Sequence, residues 1–218
     1  MPNRPLLLGH RGARGEKSVP ENTLASFDLA LARGCDGFEF DVRLSADLHP
    51  VVCHDATFRR FKVAQCSAQQ LNLPLLREVL QRYQNSAFLD IELKVGGLES
   101  VVLDLLRLHP PARGYVVSSF IPEVVSTFHE MSTATPLGLI CETHAQFRLY
   151  PKLPVDYLIL HHKLASEEII CQMKREGKKV FVWTVNSPRD IERFKHREVA
   201  GIISDYPERL VGNAELEK

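Results

Sequence analysis

The stretch Gly37-Phe38-Glu39-Phe40-Asp41-Val42-Arg43-Leu44-Ser45 (GFEFDVRLS) decides the fold. Phe38, Phe40, Val42 and Leu44 alternate with Glu39, Asp41 and Arg43, the period-two pattern of a β-strand with unlike faces. An antiparallel strand with one wet face carries such carboxylates without difficulty. A strand of a closed parallel barrel does not, because helices cover its outside and side chains fill its inside. There, an inward Glu39 and Asp41 need a compensating charge.

A second stretch repeats the pattern. FLDIELK puts Asp90, Glu92 and Lys94 on one face of a strand, and Leu89, Ile91 and Leu93 on the other. Glu39, Asp41 and Glu92, from two adjacent strands at one barrel mouth, make an oxygen-rich site suited to one hard divalent cation, Mg²⁺ or Ca²⁺, with Mn²⁺ also compatible. The alternative is a ring of salt bridges with Arg43 and Lys94. Asp90 lies one repeat deeper and has no evident partner.

The rest of the chain supports the barrel. Short apolar runs recur at Leu6–Leu8, Gly37–Leu44, Val51–Cys53, Ala87–Leu93, Tyr115–Val117, Leu137–Cys141, Tyr157–Leu160, Val180–Val185 and Gly201–Ser204. Amphipathic segments lie between most of them, including Glu21–Arg33, Leu75–Tyr83, Leu98–Leu108, Glu123–Met131, Ser166–Glu176 and Ser187–Lys195. Ser166 and Ser187 stand at N-cap positions, Gly34 and Gly177 at C-terminal cap positions. Taking Val51–Cys53 as an extension of the second strand leaves eight strand–helix repeats. That predicts an α/β fold, a single (β/α)8 barrel domain over residues 1–218. Residues 55–73 break the rhythm and read as a short insertion after the second strand, on the side where strands end.

Composition removes other classes. Twenty-seven basic residues balance twenty-seven acidic ones, so there is no electrostatic footprint for general nucleic-acid binding. No window approaches the ~20 apolar residues of a membrane span. The apolar run near the start, Leu6–Leu8, is too short for a signal peptide. The five cysteines, Cys35, Cys53, Cys66, Cys141 and Cys171, are odd in number and follow no CxxC spacing, which argues for reduced thiols and a cytoplasmic location. No feature assigns an oligomeric state.

His10 follows the first strand in LLLGHRG and His54 the second in PVVCHD, so both fall at the mouth where the carboxylates converge. Two imidazoles can serve as general acid and general base near neutral pH. Arg11 offers a planar donor fork and Lys94 a point charge for a phosphate. Together these groups fit phosphoester chemistry. Trp183, the sole tryptophan, stands near a strand end and is either core or an apolar wall for a small substrate. Ser118 and Ser119 could donate to a phosphate. His161 and His162 are site or loop residues, and Arg59, Arg60 and Lys62 a solvated face or an anion-attracting one.

The ordered blocks GHRG, PENT, EFDVRLS, PVVCHD, IELK, VVSSF, VWTVN and GIISDYP resemble the glycerophosphodiester phosphodiesterase family over about residues 6–210. The resemblance implies a metal-dependent phosphodiesterase that hydrolyses small-molecule glycerophosphodiesters to glycerol 3-phosphate and an alcohol. By position it implies Glu39, Asp41 and Glu92 as metal ligands, His10 and His54 as the acid–base pair, and Arg11 and Lys94 as phosphate or glycerol contacts. Glu21 would orient the first histidine or the metal shell, and Asn22 would cap the following helix. In the family's mechanism the glycerol 2-hydroxyl attacks phosphorus, and water opens the resulting cyclic phosphate.

Three departures stand out. Leu48-His49 replaces a turn that usually carries glycine, Ala56-Thr57-Phe58-Arg59-Arg60 replaces an Asp-Arg-Thr run, and Ala200 replaces an acidic residue. The rival readings are a lysophospholipase D-like enzyme and a non-catalytic phosphodiester-binding barrel.

Overall fold

The computed structural model describes residues 4–211. In chain order the first elements are β1 (Leu6–His10), α1 (Leu24–Ala32), β2 (Gly37–Leu44), β3 (Pro50–Val52), β4 (Thr57–Phe58), β5 (Phe61–Lys62), α2 (Ala68–Leu71) and α3 (Leu76–Tyr83). Then come β6 (Phe88–Leu93), α4 (Glu99–Leu108), β7 (Tyr115–Ser119), α5 (Pro122–Met131), β8 (Leu137–Cys141) and α6 (His144–Phe147). The described residues finish with β9 (Tyr157–His161), α7 (Glu167–Arg175), β10 (Lys179–Trp183), α8 (Pro188–Lys195), β11 (Gly201–Ser204) and α9 (Pro207–Val211).

Strands β1, β11, β10, β9, β8, β7, β6 and β2 pair in parallel in that order, and β1 pairs with β2 to close the barrel. The expected (β/α)8 barrel is therefore the fold. Alternation in β2 works as expected. Phe38 and Phe40 leave the barrel and pack against Phe27 of α1 and Tyr83 of α3, with the Phe27 and Phe38 rings stacked at 4.2 Å. Burying each such ring contributes roughly 1.5–3 kcal/mol. The barrel floor is filled by a second apolar cluster that includes Leu8, Phe88, Val116, Tyr157, Phe181 and Ile203. Ser166 and Ser187 cap α7 and α8, and Gly34 and Gly177 take positive φ just past α1 and α7.

One strand assignment changes. Val51–Cys53 is not an extension of β2 but contains most of a separate strand, β3, antiparallel to it with Val42 opposite Val52 and Leu44 opposite Pro50. β2 is eight residues long, outrunning its barrel partners, and a tight turn reverses the chain. The Ser45 N–H donates to His49 O at 3.0 Å, and Leu48 takes φ +61 where glycine is the usual choice. The return strand ends with the Cys53 N–H on Asp41 O at 2.9 Å, which delivers His54 to the level of the carboxylates.

The segment that follows carries the β4–β5 hairpin and α2. It packs through its own small cluster of Val51, Cys53, Val63 and Leu71. No helix among the described residues is long and apolar enough to cross a membrane.

Candidate active site

Register brings the carboxylates together. His10 lies opposite Glu39, Glu39 opposite Asp90, and Asp41 opposite Glu92. Glu39, Asp41 and Glu92 each offer an oxygen, and these oxygens lie within 4.8 Å of one another. All three residues are buried, as is Asp90 beneath them. Glu39, Asp90 and Glu92 line a cavity of about 230 Å³ together with His10, Arg11, His54, Lys94 and Trp183, and Asp41 stands behind that lining.

The electrostatics test whether a cation fits. Four buried carboxyl groups face two fixed cations, Arg11 and Lys94, so full ionisation leaves two negative charges uncompensated. Burial and the neighbouring carboxylates push Glu39 well above the carboxylate range. Burial, with the Asp41 charge, pushes Glu92 up to about 7. Burial raises Asp90 to about 7, although the Ser118 hydroxyl donates to its Oδ1 at 2.7 Å. Asp41 alone moves down, because Arg11, Lys94 and Asn22 outweigh its burial. Glu39 Oε1, Asp41 Oδ1 and Asp90 Oδ2 are buried without a hydrogen-bond partner, a costly state for acceptor oxygens. Hard oxygen donors, two missing positive charges and orphaned carboxylate atoms fit one divalent cation.

Arg11 belongs to the loop after β1, and Lys94 directly follows β6. Arg11 and Asn22 both take positive φ, at +50 and +57, conformations costly for side-chain-bearing residues. The strain serves the carboxylates: the Arg11 N–H donates to Glu39 Oε2 at 3.0 Å, and Asn22 Nδ2 donates to Asp41 Oδ2 at 2.8 Å. Asn22 therefore does not cap α1. Thr23 does, its hydroxyl accepting from the Ser26 N–H at 3.2 Å. Glu21 does not reach the first histidine either. It accepts from Arg11 at 2.7 Å and Arg14 at 2.8 Å, and so steadies the guanidinium beside Asp41. Lys94 Nζ lies 2.7 Å from Glu92 and 3.4 Å from Asp41. Of the expected salt-bridge ring only Lys94 takes part, since Arg43 donates to His54 O at 2.8 Å and fixes that backbone instead.

Each histidine has its own carboxylate. His10 Nδ1 lies 2.7 Å from Asp205 Oδ1, and His54 Nδ1 lies 2.7 Å from Asp55 Oδ1. Asp205 is held in turn by Asn186 Nδ2 at 2.7 Å and lies 3.3 Å from Arg14. Burial raises Asp205, but its bonds to His10 and Asn186 and the Arg14 charge win and bring it to about 2. An ionised Asp205 is an acceptor only, so His10 Nδ1 carries the proton and Nε2 is left facing the cavity, 3.7 Å from Glu39. Burial lowers His10 despite Asp205, which favours a neutral ring. The His10 side chain is 10% exposed and that of His54 35%, so the two imidazoles differ in access.

The far side of the cavity is mostly apolar, with Glu142 its one charged residue. Trp183 lines it with Phe120, Ile140, Ile159 and Ile203. Its indole N–H donates to Ile159 O at 3.1 Å, and its ring meets Phe120 edge-on at 5.6 Å. Ser118 and Ser119 are not free donors: Ser118 holds Asp90, and the Ser119 hydroxyl donates to Leu93 O at 2.7 Å. His161 packs against Trp183 rather than lining the cavity, and His162 lines a separate surface cleft. Sequence reasoning missed Asp205 and Asn186, although both stand in quoted blocks, SDYP and VWTVN. It also missed Phe120, which follows Ser119 directly.

Comparison with known proteins identifies a family and its fold. The model of the Glycerophosphoryl diester phosphodiesterase family matches residues 10–102 and 100–209. A glycerophosphodiester phosphodiesterase of Caldanaerobacter subterraneus subsp. tengcongensis is 29% identical over 237 residues, covering 95% of this chain and 97% of the relative. A glycerophosphodiester phosphodiesterase structure from Thermotoga maritima superposes with a TM-score of 0.82 at 26% identity, over 96% of this chain and 98% of that one. An Oleispira antarctica phosphodiesterase, solved with its product sn-glycerol-3-phosphate, superposes with a TM-score of 0.81 at 25% identity, over 95% and 96% of the two chains.

Proposed function

Since the chain belongs to the glycerophosphoryl diester phosphodiesterase family, we propose that it hydrolyses glycerophosphodiesters to glycerol 3-phosphate and an alcohol. The observation that carries this reading is the convergence of the Glu39–Asp41–Glu92 oxygens with His10, His54, Arg11 and Lys94 around one cavity. Glu39, Asp41 and Glu92 would hold a divalent cation, Mg²⁺ or Ca²⁺, with Mn²⁺ able to substitute. When bound, it supplies the missing positive charge and polarises phosphoryl oxygens.

The chain's own groups do the rest. Arg11 and Lys94 bind the phosphodiester anion, and Trp183 with Phe120 walls the carbon skeleton of the glycerol. His10, neutral and with Nε2 free, takes the proton of the glycerol 2-hydroxyl as its oxygen attacks phosphorus. His54, on the more open side, gives a proton to the departing alcohol oxygen. The cyclic phosphate that results opens by addition of water, with the proton transfers reversed.

The test is release of glycerol 3-phosphate from glycerophosphocholine and glycerophosphoethanolamine, first in chelator and then with Mg²⁺, Ca²⁺ and Mn²⁺ in turn. Metal-dependent release is expected. Faster cleavage of lysophosphatidylcholine would reassign the substrate. Binding without turnover under every metal would reassign the barrel to a phosphodiester-binding role.

A further inference from the structure

We propose that the β4–β5 hairpin docks the barrel mouth onto an anionic lipid surface. Thr57 pairs with Lys62 and Phe58 with Phe61, so Arg59-Arg60 forms a two-residue turn, with Arg59 at φ +55. Arg59, Arg60, Phe61 and Lys62 are all exposed. Residues 56–72 hold these three cations and no acidic residue, in a chain whose charges otherwise cancel. Among the described residues, none of the three has a carboxylate partner, so their charge is available to an external anion.

The hairpin is also amphipathic and anchored. Phe58 packs on the small cluster beneath it, whereas Phe61 stays 40% exposed. The Arg59 guanidinium lies 5.2 Å from the Phe58 ring and that of Arg60 lies 5.5 Å from Phe61. A ring backed by a guanidinium suits the headgroup layer, where aromatic side chains sit among anionic phosphates. Clustered Lys and Arg gain attraction to an anionic leaflet within a Debye length. A bilayer presents both at once, anionic headgroups for the three cations and an apolar boundary for Phe61, whereas a small soluble anion offers nothing to the exposed ring. Thr57 begins the hairpin three residues after His54, so docking would set the open side of the cavity against the lipid.

The test is co-sedimentation of the full chain, in chelator, with vesicles of phosphatidylcholine alone and of phosphatidylcholine with phosphatidylglycerol. Binding to the anionic vesicles is expected to be at least about tenfold tighter and to fall steeply with salt. R59S/R60S/K62S should reduce it to the neutral-vesicle level, with an unchanged melting temperature showing that the fold is intact. F61S should weaken it several-fold. Equal binding to both vesicles, or undiminished binding by the folded triple variant, overturns the proposal. No turnover is read, so docking and the phosphodiesterase reading can fail separately.

Discussion

From β1 through β6 the strand ends carry His10, Arg11, Glu39, Asp41, His54, Asp90, Glu92 and Lys94. From β7 through β10 the cavity lining becomes mostly apolar, with Phe120, Ile140, Ile159 and Trp183 beside one exposed carboxylate, Glu142. The charged arc stores unfavourable energy: strained backbone at Arg11 and Asn22, orphaned carboxylate oxygens and acids forced away from their ordinary ionisation. The apolar arc is relaxed, with Trp183 pinned by a hydrogen bond and an edge-on ring contact. A site that concentrates its strain on one side of a cavity can change the shape of the other side without disturbing the chemistry.

The largest test of this division is thermal. Asp90 and Glu92 are raised in the fold to about 7 from ordinary values of 3.8 and 4.5. A raised folded pKa adds stability below the unfolded value and loses it as pH climbs through the folded one. In chelator the melting temperature should therefore fall by roughly 10–20 °C between about pH 5 and pH 8, at ~2–4 °C per kcal/mol for a chain of this size. A divalent cation should restore most of it at the higher pH. A melting temperature indifferent to both would mean that the charged arc is compensated from within.

Next in size, His54→Ala should cut turnover at least ~100-fold while calorimetry gives an unchanged metal isotherm. Normal turnover would remove His54 from the chemistry. Asp205→Asn leaves the His10 ring in place but replaces an acceptor-only carboxylate by an uncharged amide that can donate to Nδ1, so the tautomer is no longer fixed. A loss in kcat of about tenfold or more is expected, with KM little changed. A KM effect alone would make Asp205 a packing residue.

Trp183→Ala probes the other arc. It should raise KM by roughly tenfold and spare kcat, as expected when binding is lost equally from substrate and transition state. A larger fall in kcat than in affinity would erase the distinction between the arcs. Smallest of all, Leu48→Gly relieves a left-handed leucine on an exposed turn. It should add about 1 kcal/mol, read as a rise in melting temperature with activity unchanged.

The charged arc was legible in the sequence because its signal is local. Alternation in GFEFDVRLS and FLDIELK sorts each side chain to a face, and strand ends place His10 and His54 at the mouth. Partnerships were not legible. Asn22 sits where a helix cap is common, and only the positive φ of its backbone turns the side chain to Asp41. The return of β3 could not be read from an apolar run of three residues, because the direction of a strand is set by the turn before it. Asp205 is 195 residues from His10, and the two meet only because β11 lies beside β1.

That last contact has a consequence for biogenesis. A chain emerging from the ribosome displays His10, His54 and the four buried carboxylates of β2 and β6 about a hundred residues before Asp205. Its imidazole at position 10 stays without an orienting carboxylate, and its barrel without a seam, until the last strand is released. Synthesis from the N-terminus thus postpones competence until Asp205 is made, and a nascent fragment holds its acids and its base in hand without the means to use them.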